Sequence, residues 1–476
     1  MSSVTAPSPA VDPTGPLLPV ARSRRRTELI MLVFAFALIV FAMANVGFSL
    51  RGRLPSGVAE YLVAYFVIIG AAHLAMRRFA PWADPLLLPL ATLLNGLGIV
   101  MMYRLSAQAN PATGHPVMSA SQASLQIAFS AIGIGGFVAV LALVREPRVL
   151  QRYTYTLGAA GIFLFALPAL LPASISEVNG AKIQIRFGSF TTIQPEEFAK
   201  LALAAAFAGY LVAKRDVLAL AGRRVLGLDL PRARDLGPIL LAWAASLLLL
   251  VFESDIGTSA VFMGLFVAML YIATSRTSWL LIGFLMFVVG ALTASKLVGH
   301  VGERFDIWLH PFTQANVENH SYQLVQGLYG MGSGGLLGKG LGAGQPYITP
   351  LVQSDLVFTA FGEEIGLAGV MAILLIYGLM VQRGLRTAMS VKDPFSKLLA
   401  GGLSFMLALQ VFVIVGGVTR LIPLTGITTP LLSQGGSSLV GTWVLIGLLA
   451  RISDAARRPP PRPIQDEGLT QVVTLK

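Results

Sequence analysis

Twelve stretches of this sequence are long and apolar enough to cross a lipid bilayer, and that constrains its fold more than any other feature. A hydrocarbon core of about 30 Å needs roughly 20 apolar residues in helical form. Inside it no water satisfies backbone N–H and C=O groups, so uninterrupted apolar runs must close their hydrogen bonds within helices. The runs lie at 29–50, 58–76, 84–103, 123–144, 153–173, 197–213, 237–252, 256–274, 278–298, 356–381, 397–419 and 434–452. The expectation is an all-α, polytopic integral membrane protein of about 12 transmembrane helices. Composition agrees: of 476 residues 55% are hydrophobic and 12% charged, where a soluble domain is about a quarter charged.

RSRRR at 22–26 precedes the first run, which is too long for a signal-peptide core and has no small-residue cleavage site, so it reads as a retained helix. With the N-terminus placed in the cytoplasm and the helices alternating, 25 Lys and Arg residues fall on the cytoplasmic side and nine on the other. That asymmetry fixes the orientation and puts both tails in the cytoplasm. It also accounts for the net charge of +12, so the charge gives no reason to expect nucleic acid, for which no basic, aromatic-interleaved domain exists. Residues 1–27 read as a disordered basic tail, 28–83 as two N-terminal helices, and 453–476 as a second solvated tail.

The chain has no cysteine, which excludes disulfides, thiolate metal sites and a cysteine nucleophile. Its five histidines (His73, His115, His300, His310 and His320) show no metal-ligand spacing. The glycine-rich GMGSGGLLGKGLGAGQ, 330–345, fails the Walker pattern, since Gly340 follows Lys339 where Ser or Thr is required. What it retains is a flexible backbone with one lysine, a weak anion cradle.

The chemistry-bearing residues gather at the outer ends of the helices. Asp355 closes the longest connection, 299–355, directly before an apolar run that contains Glu363 and Glu364. An acid there can cap the helix N-terminus or mark a functional path, as intramembrane acids usually do. Eight residues of helix separate Asp355 from Glu363 by about 12 Å and roughly 80°, so the two could share a cavity. In IQPEEFAK, 193–200, Glu197 and Lys200 lie three apart and can pair on one face. They form either a structural ion pair or a polar patch for a headgroup, with Lys182 and Arg186 nearby in sequence. ESDIGTSA, 253–260, reads as a structural outer turn, and LIPLTGITTPLLSQGGSS, 421–438, as a loop suited to close backbone approach by a polar ligand.

These segments, in order, resemble a known family. NGAK at 179–182, IQPEEFAK, SDIGTS at 254–259, GSGGLLGKG, SDLVFTAFGEEIGLAG and PLTGITTPLLSQGGSS are similar to the motifs of the SEDS proteins of bacterial cell-wall synthesis. The likeness covers roughly 84–452, a ten-helix core preceded by two extra helices. VGGVTRLIPLTG, the basic tails and the N-terminal extension look more like the actinobacterial RodA branch than the FtsW branch.

The resemblance implies a peptidoglycan glycosyltransferase of the bacterial cytoplasmic membrane that polymerises lipid II for elongation and shape. Its implied partner is a class B penicillin-binding transpeptidase. It places the essential aspartate at Asp355. Around it the expected substrate-binding set is Glu197, Lys200, Arg304, Lys339, Arg186, Glu363, Gln323, Ser433, Gly435 and Gly436. No protein-bound metal is expected, although a divalent cation is compatible with a diphosphate substrate. SDIGT in place of the usual P-D-L-G-T, Glu196 where Ser is common and Gln434 where an aromatic is frequent are departures in loop detail. The rival reading is a lipid II flippase or another transporter, which would need polar groups near the midplane.

Overall fold

The structure, a computed structural model, describes residues 24–459 apart from 54–56, 111–113, 177–183, 188–190, 219–220, 226–227, 232–239, 241–243, 245–255 and 319–320. Its long helices are α1 (Arg25–Arg51), α2 (Val58–Phe79), α3 (Leu87–Ala107), α4 (Ala120–Leu143), α5 (Thr154–Leu170) and α6 (Glu196–Leu218). They continue as α7 (Ile256–Thr274), α8 (Thr277–Leu297), α9 (Gly299–Leu309), α10 (Tyr322–Gly334), α11 (Val357–Ser390), α12 (Pro394–Val418) and α13 (Gly436–Arg457).

Among the described residues ten helical segments are long and apolar enough to span a membrane. They match the expected runs except at two places. The expected run 197–213 is α6, whose apolar middle is shortened by charges at both ends, Glu196, Glu197 and Lys200 at the first and Lys214, Arg215 and Asp216 at the last. The expected run 237–252 lies outside the described residues but for 240 and 244, as do NGAK, Lys182, His320, and Glu253 and Asp255 of the ESDIGTSA turn.

Burial separates a centre from a periphery. About three quarters of the spanning residues are buried in α3, α7, α12 and α13, against a third or fewer in α1, α2, α4, α5, α8 and α11. The apolar periphery (Phe34, Phe41, Phe66 and Phe284 are all exposed) is what a lipid-facing surface requires. α13 packs along α4, α5 along α6, α11 along α12 and α10, α7 along α12, and α1 along α3.

Buried ion pairs knit the end of the bundle that carries Arg25 and Arg457. Glu28 of α1 takes hydrogen bonds from Arg25 and His73, and Arg25 reaches the Ala83 carbonyl. Asp84 binds Arg457, while Asp454 accepts from the Trp82 amide at 2.8 Å and from Arg458 at 2.7 Å. The two N-terminal helices are thereby fastened to the start of α3, and the end of α13 to the same region.

At the opposite end the connection 299–355 folds back as α9, a short turn Gln314–Val317, α10 and a glycine loop. The loop is built into a break in α11. Gly366 has φ 68° and ψ −173°, which interrupts the helix and leaves nearby peptide groups without helical partners. The loop supplies them: Lys339 N and Gly340 N donate to the carbonyls of Glu363 and Glu364 at 3.0 and 2.9 Å. In return Leu367 N and Ala368 N donate to Gly335 O and Leu336 O, both at 3.0 Å. An apolar pattern that looks continuous in sequence is thus two half-helices joined through a loop, a geometry tolerated at membrane depth because protein surrounds it.

Candidate functional site

Asp355 sits two residues before α11 begins and does not cap it; Leu356 occupies the cap position and no side chain bonds the first turn. Instead the carboxylate is gripped from both sides. Ser354 Oγ donates to Oδ1 at 2.5 Å and Gln323 Nε2, from α10, donates to Oδ2 at 3.3 Å. The residue is 8% exposed. Burial pushes its pKa above the ordinary carboxylate value, and the hydrogen bonds from Ser354 and Gln323 and the positive charge of Arg304 pull part of the way back. A sheltered carboxylate whose basicity burial has raised, with an orienting donor on each oxygen, is suited to accept a proton.

The turn containing Asp355 is locked to the loop before α13. Gln434 N donates to Gln353 O at 2.8 Å, and the Ser433 hydroxyl donates to Ser354 O while accepting from Thr429 N. Gly98 of α3 lets this loop approach, since a Cβ there would lie 2.7 Å from the carbonyl oxygens of Leu431 and Leu432. Leu431 and Leu351, flanking the locked turns, both hold positive φ (67° and 54°), a cost of roughly 1–2 kcal/mol each that the surrounding bonds sustain.

Beside this turn lies a cavity of about 540 Å³. Its walls include Ser354, Arg186 and Thr192 of a short hairpin (β1, Ile185–Phe187; β2, Thr191–Ile193), Thr428, Gly435, Gly436 and Ser437. Five glutamines complete the polar lining: Gln122, Gln126, Gln184, Gln194 and Gln434. Gln194 N donates to Ser437 Oγ at 2.9 Å, so the hairpin and α13 close the cavity together.

Of the residues singled out from sequence, Arg186, Gly435 and Gly436 line the cavity, while Asp355, Gln323 and Ser433 belong to the bonded turn beside it and do not line it. Arg304 of α9 donates to Leu424 O at 3.0 Å and acts on Asp355 through its charge. Glu197 and Lys200 pair at 2.9 Å, are both buried, and do not line the cavity. Glu363 and Lys339 bind each other at 2.8 Å, and Glu363 also accepts from Gln345 N. Glu363 therefore serves the glycine loop and, like the Asp355 side chain, is not among the residues that line the cavity. Glu364 takes Arg104 Nε at 2.7 Å and Gly342 N at 3.1 Å, while Arg104 Nη2 reaches Gly344 O at 2.8 Å. Sequence reasoning missed Arg104 and four of the glutamines. A lone arginine at a membrane helix end could have prompted a search for its acidic partner; the glutamines, scattered over some 300 residues, carried no such signal.

The fold and this site define a class: a multi-pass membrane protein with a restrained carboxylate beside a polar cavity at one end of its helix bundle. The profile of the cell cycle protein family FtsW/RodA/SpoVE matches residues 84–458, and the chain belongs to that family. The sequence is 47% identical over 441 residues, 93% of each chain, to the peptidoglycan glycosyltransferase RodA of Mycobacterium tuberculosis. It is 31% identical to stage V sporulation protein E of Bacillus subtilis, covering 79% of this chain and 98% of that protein. In structure it is similar to the rod shape determining protein RodA of Thermus thermophilus, with a TM-score of 0.52 at 24% identity over 79% of this chain and 98% of that one. A chain from a peptidoglycan synthase complex that coordinates polymerisation and crosslinking has the same TM-score over 84% of this chain and 98% of its own. Helices α1 and α2 precede the range that the family profile matches.

Proposed function

We propose that this protein is a peptidoglycan glycosyltransferase that polymerises lipid II into glycan strands at the outer face of the bacterial cytoplasmic membrane, with both termini in the cytoplasm. One observation carries the reading: a sheltered carboxylate, oriented by Ser354 and Gln323, in the turn whose Ser354 walls the polar cavity. Lipid II carries its sugar on a diphosphate, already a good leaving group, so one displacement with inversion suffices. The acceptor hydroxyl oxygen attacks the anomeric carbon as its proton passes to Asp355. The bond to the diphosphate breaks with its electron pair, releasing undecaprenyl diphosphate. A single base does this work, where glycosidases pair two carboxylates.

In this reading Arg304 neutralises the departing diphosphate. Gln323 and Ser433 position the Asp355 turn, Arg186 with Gly435 and Gly436 contacts substrate in the cavity, and Glu197–Lys200 shapes the outer end of α6. Lys339 and Glu363 act indirectly, through the glycine loop. A divalent cation, where one takes part, would be carried by the oxygens of the diphosphate. The partner is a class B penicillin-binding transpeptidase, a proposal supported by the likeness to a chain of a synthase complex. The gathering of polar groups at one bundle end favours an enzyme over a flippase, whose polar path would run through the midplane.

The test is polymerisation of purified lipid II in detergent, where no transmembrane gradient exists. Wild type yields glycan polymer; Asp355→Ala yields none while remaining folded. Polymer of normal length from Asp355→Ala refutes the assignment.

A further inference from the structure

The cavity beside Asp355 draws its carboxamides from four separate parts of the chain: α4, the residue before β1, the residue after β2, and the loop before α13. The two on α4 have duties inside the protein. Gln122 Oε1 accepts from Ser119 N at 2.9 Å, and Gln126 Nε2 donates to Ser433 O at 3.1 Å. The side chains of Gln184, Gln194 and Gln434 are half-buried and make no hydrogen bond with the described residues. Each carboxamide offers two donors and an acceptor oxygen with two lone pairs. Half-sheltered groups of this kind gain from a ligand that supplies both donors and acceptors, as sugar hydroxyls and acetamido groups do.

Charge sharpens the choice. Among the described residues that line it, Arg186 is the one charged side chain and no carboxylate is present. A diphosphate calls for several cations or charge-assisted donors, so this wall fits it poorly. Arg304, the cation that acts on Asp355, is anchored at Leu424 O and is not among the cavity's walls. The volume of about 540 Å³ falls within the roughly 300–1,000 Å³ of small-ligand pockets, room for a group of disaccharide size.

We infer that this cavity is the subsite for the uncharged acetamido-sugar end of the acceptor, and that the donor's diphosphate lies outside it, on the Arg304 side of Asp355. The inference deepens the proposed function and rests on it. Gln184, Gln194 and Gln434 bind and orient the acceptor so that its hydroxyl meets Asp355; the carboxylate takes no part in holding the sugar.

Binding of di-N-acetylchitobiose to the purified full-length protein, followed by saturation-transfer NMR, tests this. Wild type and Asp355→Asn bind it alike. Gln194→Leu/Gln434→Leu weakens it at least tenfold without lowering the melting temperature, and Gln184→Leu alone, the substitute if the pair misfolds, weakens it about threefold. Cellobiose, which lacks the acetamido groups, binds at least tenfold more weakly, and inorganic pyrophosphate does not displace chitobiose. Absence of binding to wild type, equal binding by the glutamine variants, equal binding of cellobiose, or displacement by pyrophosphate each overturns the inference. Failure of the glycosyltransferase reading looks different: the wild-type protein would make no polymer from lipid II, whatever chitobiose does.

Discussion

At the scale of single residues, Asp355 is where burial and chemistry meet. In the proposed mechanism Asp355 is the base; Asp355→Asn keeps the side chain's shape and removes its basicity, so polymerisation is expected to fall by about 10²–10⁴-fold, read as product per unit time from lipid II. The pH dependence follows from the direction of the shift. Because burial raises the folded-state pKa, the working, deprotonated form appears only as pH climbs through that raised value, and activity on the acid side rises with it. The same shift has a stability consequence of definite sign. The folded state favours the protonated acid, so the favourable contribution is complete below the ordinary value of 3.8 and is lost as pH rises through the raised one. Asp355→Asn therefore melts higher than wild type at pH 7, and the difference shrinks toward pH 4; a variant that melts lower at pH 7 contradicts this account.

At the scale of elements, the broken helix α11 and the glycine loop stand or fall together. Arg104 and Glu364 are both fully buried, and removing one partner strands a charge. Arg104→Met should destabilise by about 3–5 kcal/mol, whereas Arg104→Met with Glu364→Met recovers most of that loss; melting temperatures of the two variants decide it. Gly366→Ala attacks the same joint through the backbone. Its positive φ costs about 1–2 kcal/mol for any residue with a Cβ, and that Cβ would sit 2.3 Å from Gly338 N. Faster proteolysis within 335–345 is the expected readout. This joint was invisible in sequence for a clear reason. The run 356–381 continues across Gly366 with no proline or turn signal to mark a break, and the groups that replace its helical bonds come from a loop some 30 residues away.

At the scale of the whole molecule, the absence of cysteine gives a clean background for testing topology. Tyr329 and Ala455 are exposed at opposite ends of the bundle. Tyr329→Cys should react with a membrane-impermeant maleimide on intact cells, and Ala455→Cys only after permeabilisation. The reverse pattern would invert the orientation and move Asp355 to the cytosol.

Sequence alone determined the number and kind of most spanning helices, because an apolar run of about 20 residues needs no distant partner to be stable in a bilayer. It also marked Asp355, since an acid beside such a run is costly wherever the chain folds. Tertiary structure decided which charges were spent on architecture. Glu363 met Lys339, Glu364 met Arg104 and Glu197 kept Lys200, leaving Asp355 bound by neutral donors beside a glutamine-lined cavity. The reason is physical. Hydropathy is a property of a segment, but neutralising a buried charge depends on which residues 24 to 260 positions away in the chain are brought within hydrogen-bonding distance.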